Sequence, residues 1–144
     1  MTTEANQVKI SSEALYNVVK REKNNNGSNF TIKSLKTGKD FTFQIRRAEF
    51  NGKWYTHVSV ETRYLDFNYL GSYFNGKIYR KGGIVETPTS KVIAFVLLWV
   101  EKRAFEWLNK NVDVMHTGSC LCCGRELTDA VSIQRGLGPV CANI

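Results

Sequence analysis

Between Phe30 and Arg80, hydrophobic residues recur at every second position. In "DFTFQIRR", Phe41, Phe43 and Ile45 alternate with Thr42, Gln44 and Arg46. In "WYTHVSVE", Trp54, Thr56, Val58 and Val60 alternate with Tyr55, His57, Ser59 and Glu61. Because successive strand residues point to opposite faces, this period predicts half-buried β-strands. Asn51-Gly52 and Asn75-Gly76 each separate two such runs, and Asn-Gly is the strongest short hairpin signal. "LKTGKD", at 35–40, supplies a third turn. The pattern predicts a meander of about five antiparallel strands with one face covered and one wet.

The period then lengthens. Thr87 is placed to cap a helix, and Pro88 suits its first turn. Ile93, Val96, Leu97, Val100, Ala104, Trp107 and Leu108 form a stripe of helical spacing. Phe95, Leu98 and Trp99 fall beside or opposite that stripe, so the first half of the helix is apolar nearly all round. Burial between the sheet and another element explains this, with a partner surface as the alternative. Asn109 to Asn111 end the helix. An N-terminal helix is predicted from Ser11, its N-cap, with Glu13 in the first turn and Ile10 spaced to close on Leu15. "NNNGSN", at 24–29, stops it, and the first nine residues are expected to fray. The predicted fold is therefore α+β: a five-stranded meander covered by one long helix, preceded by an N-terminal helix and followed by a small C-terminal module that holds all four cysteines. Three segments follow: 1–28, 29–112 and 113–144.

Composition narrows the function. Of 144 residues, 42% are hydrophobic, with eight Phe, six Tyr and three Trp, enough for a packed core. The longest apolar run, Val92 to Val100, is half the roughly 18 residues a membrane span needs. No apolar leader precedes a cleavage site, so a soluble cytoplasmic protein is expected. The net charge is +7. Residues 20–81 hold 13 Lys and Arg against 5 Asp and Glu, whereas 116–144 are neutral. Attraction for phosphate, if any, belongs to the middle of the chain.

"MHTGSCLCCGRELTD", at 115–129, sets three cysteines within four positions. In a reducing compartment such clusters suit metal better than disulfides. His116, Cys120, Cys123 and Cys141 give H-x3-C-x2-C-x17-C, a donor set for one structural, tetrahedral Zn2+. Gly124, after Cys123, accommodates the left-handed backbone that a tight turn around an ion requires. That makes Cys122 the spare thiol, although it remains an alternative to His116 as fourth ligand. Thr128 or Asp129 can cap a short helix, and Gly138-Pro139 makes a turn leading to Cys141.

Residues 116–141, "HTGSCLCCGRELTDAVSIQRGLGPVC", resemble a zinc-binding segment, C-x2-C-G-R-x-L-T-D-x-x-S-I-x-x-G-x-G-P-x-C. That segment closes small, largely uncharacterised bacteriophage proteins and occurs in some actinobacterial ones. Upstream, "TGKDFTF", the Tyr69–Gly71 "YLG" and the aromatic-rich helix are similar more loosely. The resemblance implies a phage-type accessory protein with a terminal zinc module, acting in the cytoplasm of a bacterial host. It implies no activity, and Cys122 is not in its pattern.

Catalysis is not expected. The H-x-E of a zinc deaminase is missing at His116-Thr117-Gly118, and four protein ligands leave zinc no open position. There is no phosphate loop, G-x-S-x-G or H-E-x-x-H. Two partner classes remain, and neither a membrane nor a small-molecule substrate is expected. The favoured one is nucleic acid, held by Lys53, Arg63, Lys77, Arg80 and Lys81, with Tyr55 as a stacking ring. The other is a host protein: a non-catalytic modulator of a host enzyme or anti-phage defence complex, using the apolar helix.

Overall fold

The computed structural model describes residues 8–19, 28–63 and 66–116. Its elements run β1 (Val8–Ile10), α1 (Ser12–Val19), β2 (Ser28–Ser34), β3 (Asp40–Phe50), β4 (Lys53–Arg63), β5 (Asp66–Phe74), β6 (Lys77–Arg80) and β7 (Gly83–Ile84). Then come α2 (Pro88–Glu101), α3 (Phe105–Asn111) and β8 (Val112–His116). All strands join one antiparallel sheet in the order β1-β8-β2-β3-β4-β5-β6-β7.

This corrects the expected five-stranded meander under one long helix in two respects. The first is the sheet, which has eight strands among the described residues. Strands β2 to β6 are the alternating runs. Beyond them β7 closes a further hairpin, and β8 inserts between β1 and β2 at the other side. The sheet thus takes strands from all three expected segments. Val8–Ile10, which includes two of the nine residues expected to fray, pairs with Val114–His116, and Lys9 Nζ lies 2.9 Å from Asp113 Oδ1. Three-residue strands are too short to show a period, so only pairing reveals them.

The two Asn-Gly turns form as the sequence predicts. Asn51 and Gly52 have φ of 53° and 79°, and Asn75 and Gly76 have 49° and 87°. Two consecutive positive φ values suit the twist of a tight hairpin. Lys81 and Gly82, with φ of 53° and 81°, make a third turn of this kind that Lys-Gly does not announce.

The second correction concerns the helix. Thr87 does cap α2: its Oγ1 accepts the Ser90 N–H at 3.1 Å, and Ser90 Oγ accepts the Thr87 N–H at 2.8 Å. The helix nevertheless ends at Glu101, where neither Gly nor Pro marks a stop. Arg103 adopts φ +58°, a conformation costing a non-glycine residue about 1–2 kcal/mol. Tertiary contacts offset that cost. The Arg103 guanidinium lies 4.9 Å from the Tyr16 ring centre, and Phe105 meets the same ring edge-on at 5.7 Å. The break also turns α3 back, so that Trp107 stacks on Trp99 at 4.9 Å.

The core lies between one sheet face and the helices. Phe30, Ile32, Phe43, Ile45, Val58 and Ile78 from the sheet meet Leu15, Ile93, Leu97 and Leu108. Ser11 caps α1 as expected, its Oγ accepting the Ala14 N–H at 3.1 Å. Ile10 and Leu15 are both buried in this core. Among the described residues, no helix is long and apolar enough to cross a membrane.

Candidate nucleic-acid interface

The register decides which side chains share the sheet's other face. Ile45 pairs with Val58 and Thr56 with Tyr73, so the even residues of β4 face the core. Lys53, Tyr55 and His57 consequently point away from it. Across the next strands, His57 pairs with Ser72, Ser72 with Tyr79, and Phe74 with Lys77. Tyr55, Phe74 and Tyr79 therefore stand on one open face. Tyr69, opposite Ser59 beyond a register shift, joins them. Tyr55, Tyr69 and Tyr79 are 39%, 40% and 37% exposed, and Phe74 is 70% exposed. With Phe50, which pairs with Lys53 and is 66% exposed, five large rings are left in water on this face, an unusual concentration of apolar surface.

A polar cluster sits among these rings. His57 Nδ1 lies 2.9 Å from the Tyr69 hydroxyl, which is 3.3 Å from Ser72 Oγ; Ser72 Oγ is 3.4 Å from Nδ1. The Arg80 guanidinium lies 5.7 Å from the centre of the Tyr69 ring. Burial, and then the neighbouring Arg46, hold the His57 pKa below 6.5, because each disfavours a charged imidazolium. His57 is therefore neutral at pH 7. The Ser72–His57 separation exceeds the ~2.6–3.2 Å of a nucleophile and its base, and Tyr69 is the closer partner of Nδ1. The cluster ties His57, Tyr69 and Ser72 to one another on the open face.

A shallow hollow of about 730 Å3 opens at this end of the sheet, lined by Lys53, Tyr55, Tyr79, Arg80 and Lys81, and reaching Arg47, Thr56, Tyr73 and Glu101 of the covered face. Four of the six residues singled out for nucleic acid, Lys53, Tyr55, Arg80 and Lys81, thus come together. Lys77 stands beside them, across from Phe74. Arg63 does not join them. It ends β4, eight residues from Tyr55, or about 26 Å along an extended strand, and pairs with Asp66. His57, Tyr69, Ser72, Phe74 and Tyr79, which the structure adds to this face, are not among those six. Part of the signal was present, since a two-residue turn at Asn75-Gly76 sets Phe74 against Lys77 and Ser72 against Tyr79 by counting outwards. Shifts between Val58 and Ser59 and between Glu61 and Arg63 hide the rest.

On the covered face, Arg47 Nη1 donates to Thr56 Oγ1 at 2.7 Å, and the Tyr73 hydroxyl donates to Glu101 Oε1 at 2.7 Å. Burial and that carboxylate push the Tyr73 pKa well above 10. These groups border a 290 Å3 cavity between α1, α2 and the sheet. On the outside of the helices, Phe95, Trp99 and Trp107 form an aromatic cluster, with Phe95 and Trp107 exposed.

Of the expected zinc ligands, only His116 is described. It ends β8 opposite Val8, shares a face with Val114, and is 1% exposed. Cys120, Cys122, Cys123 and Cys141 lie outside the described residues. Among the described residues no three His, Cys, Asp or Glu side chains gather into a metal-binding group.

Comparison with known proteins gives little to set beside this geometry. Residues 112–143, which include β8 and all four cysteines, match a family of unknown function (DUF6011). No curated protein and no solved structure matches the chain.

Proposed function

We propose that the protein binds nucleic acid through the open sheet face over β4, β5 and β6. One observation carries the reading: four exposed rings, Tyr55, Tyr69, Phe74 and Tyr79, share that face with Lys53, Lys77 and Arg80, and Lys81 lies in the adjoining turn. Rings offer faces to bases, and cations beside them track the phosphates. Arg63, at the far end of β4, contributes less than the others. Charge reversal at Lys53, Arg80 and Lys81 should abolish binding at ~0.1 M salt. Single removals should each lower the slope of log affinity against log salt by about one unit. Intact binding after the triple reversal would overturn the reading.

The cysteine segment belongs to the same proposal as a structural support. The H-x3-C-x2-C-x17-C donor set suits one Zn2+, held by Cys120, Cys123 and Cys141 with His116 or Cys122. A neutral segment adds no phosphate attraction, so its role is to fix the chain beyond β8. The resemblance of 116–141 to phage-type sequences favours an accessory role in a bacterial host cell.

A second reading rests on Phe95, Trp99 and Trp107. The Trp99 indole N–H is buried with no acceptor among the described residues, at a cost of about 1–3 kcal/mol. A host protein docked over this exposed cluster would bind with little dependence on salt.

A further inference from the structure

If the face binds nucleic acid, its construction selects one form of it. We infer that the ligand is single-stranded, with bases stacked on Tyr55 and Tyr79 and one base edge meeting Ser72 and His57. The inference rests on the proposed nucleic-acid function and narrows it. In a duplex the base faces are covered by their neighbours, so exposed rings lying on a sheet find nothing to stack on. In an unpaired strand every base offers a face. Tyr55 in β4 and Tyr79 in β6 stand two strands apart, about 10 Å across the sheet, on the same side. Sheets with such spacing hold two or three splayed bases.

The polar cluster supplies what stacking lacks. Ser72 lies directly across from both His57 and Tyr79, so a base over Tyr79 brings its hydrogen-bonding edge to β5, between the strands that carry the two rings. The contacts of 2.9, 3.3 and 3.4 Å among His57, Tyr69 and Ser72 fix these groups before a ligand arrives. Arg80, over Tyr69, places a cation at the margin of the same patch. Groups already ordered lose less entropy on binding.

A labelled oligonucleotide, single-stranded or annealed to its complement, tests this by fluorescence anisotropy against the intact protein. The single strand should bind at least about tenfold more tightly than the duplex. Tyr55→Leu and Tyr79→Leu should each weaken single-strand binding about 5- to 100-fold, with the salt slope and duplex binding unchanged. Both rings are exposed, so circular dichroism and thermal melting should show the variants folded. Ser72→Ala should change the ranking among homopolymers without changing the slope. Equal affinity for both forms, indifferent to the tyrosines but steep in salt, would overturn the inference while leaving nucleic-acid binding intact. Binding of neither form at ~0.1 M salt would overturn both.

Discussion

Replacing Gly71 with alanine should be the most damaging single-methyl change in the described sheet. Gly71 lies in β5, opposite Val58 and next to the register shift that turns Tyr69 onto the open face. Its φ is +148°. Residues with side chains avoid that region at a cost of about 1–3 kcal/mol. A Cβ there would also stand 2.4 Å from the Tyr79 carbonyl oxygen and 2.8 Å from Ile78 Cγ2. The oxygen belongs to backbone of the paired strand, so β6 must move as a whole. Losing one or two ladder hydrogen bonds adds about 0.5–1.5 kcal/mol each. The total comes to roughly 1.5–6 kcal/mol, a large share of the ~5–15 kcal/mol that holds a typical domain together.

Gly82 provides the control. Its φ is +81°, but nothing lies within 4 Å of where a Cβ would stand. Gly82→Ala should therefore cost only the backbone preference, about 1–2 kcal/mol. Urea unfolding followed by circular dichroism would compare the midpoints at constant slope. Thermal melting should show Gly71→Ala lowered by about 10 °C or more. A Gly71→Ala variant no less stable than Gly82→Ala would refute the account of the β5–β6 contact, and with it the placement of Ser72 opposite Tyr79.

Other perturbations follow from single interactions. Metal analysis at neutral pH should find about one zinc per chain; Cys123→Ser should release it, and Cys122→Ser should retain it. The opposite pattern would move the ligand set by one residue. Thr87→Ala removes one half of the α2 capping box and should cost about 1 kcal/mol in urea unfolding; an unchanged midpoint would mean Pro88 suffices. His57 gives a pH test. Its folded pKa lies below 6.5, so the unfolded chain takes the proton first. Its contribution to stability is complete above about pH 6.5 and is lost as pH falls through the folded pKa. His57→Gln should flatten that part of the profile, and an unaltered profile would assign the acid sensitivity to other groups.

What the sequence disclosed tracks how local each signal is. Alternation in "DFTFQIRR" and "WYTHVSVE" correctly put Tyr55 opposite Trp54, because period two needs only neighbouring residues. The Asn-Gly turns and the Thr87 cap are local too, and all three are present. The helix break at Arg103 is not. Its cause is Tyr16, 87 positions earlier, whose ring receives both Arg103 and Phe105. Likewise Tyr69, Ser72 and Tyr79 meet His57 and Tyr55 only once the β4–β5 register is known, and that register shifts twice. The counted charge of the middle segment was legible; the separation of Arg63 from Lys53 and Arg80 was a matter of strand length. The five-strand estimate failed where a strand is very short, at β7, and where the partners are distant in sequence, at β1 and β8.

The placement of β8 ties the two ends of the described chain together. Thr31 pairs with Met115 and Ile32 with Val114, contacts spanning more than eighty residues, and β1 pairs on the opposite side of the same strand. Such distant pairing must overcome a closure entropy before it gains stability, so this edge of the sheet is expected to form late. Val114 and His116 are both buried once it does. The family match begins at Val112, the first residue of β8, so the matched segment is anchored in the sheet from its start. In the zinc reading, metal bound just beyond His116 reduces the freedom of the chain that leaves β8 and so opposes loss of this late-forming edge. The rings on β4 to β6 stand on the other side of β2 and β3, so zinc loss should reach them through sheet stability alone.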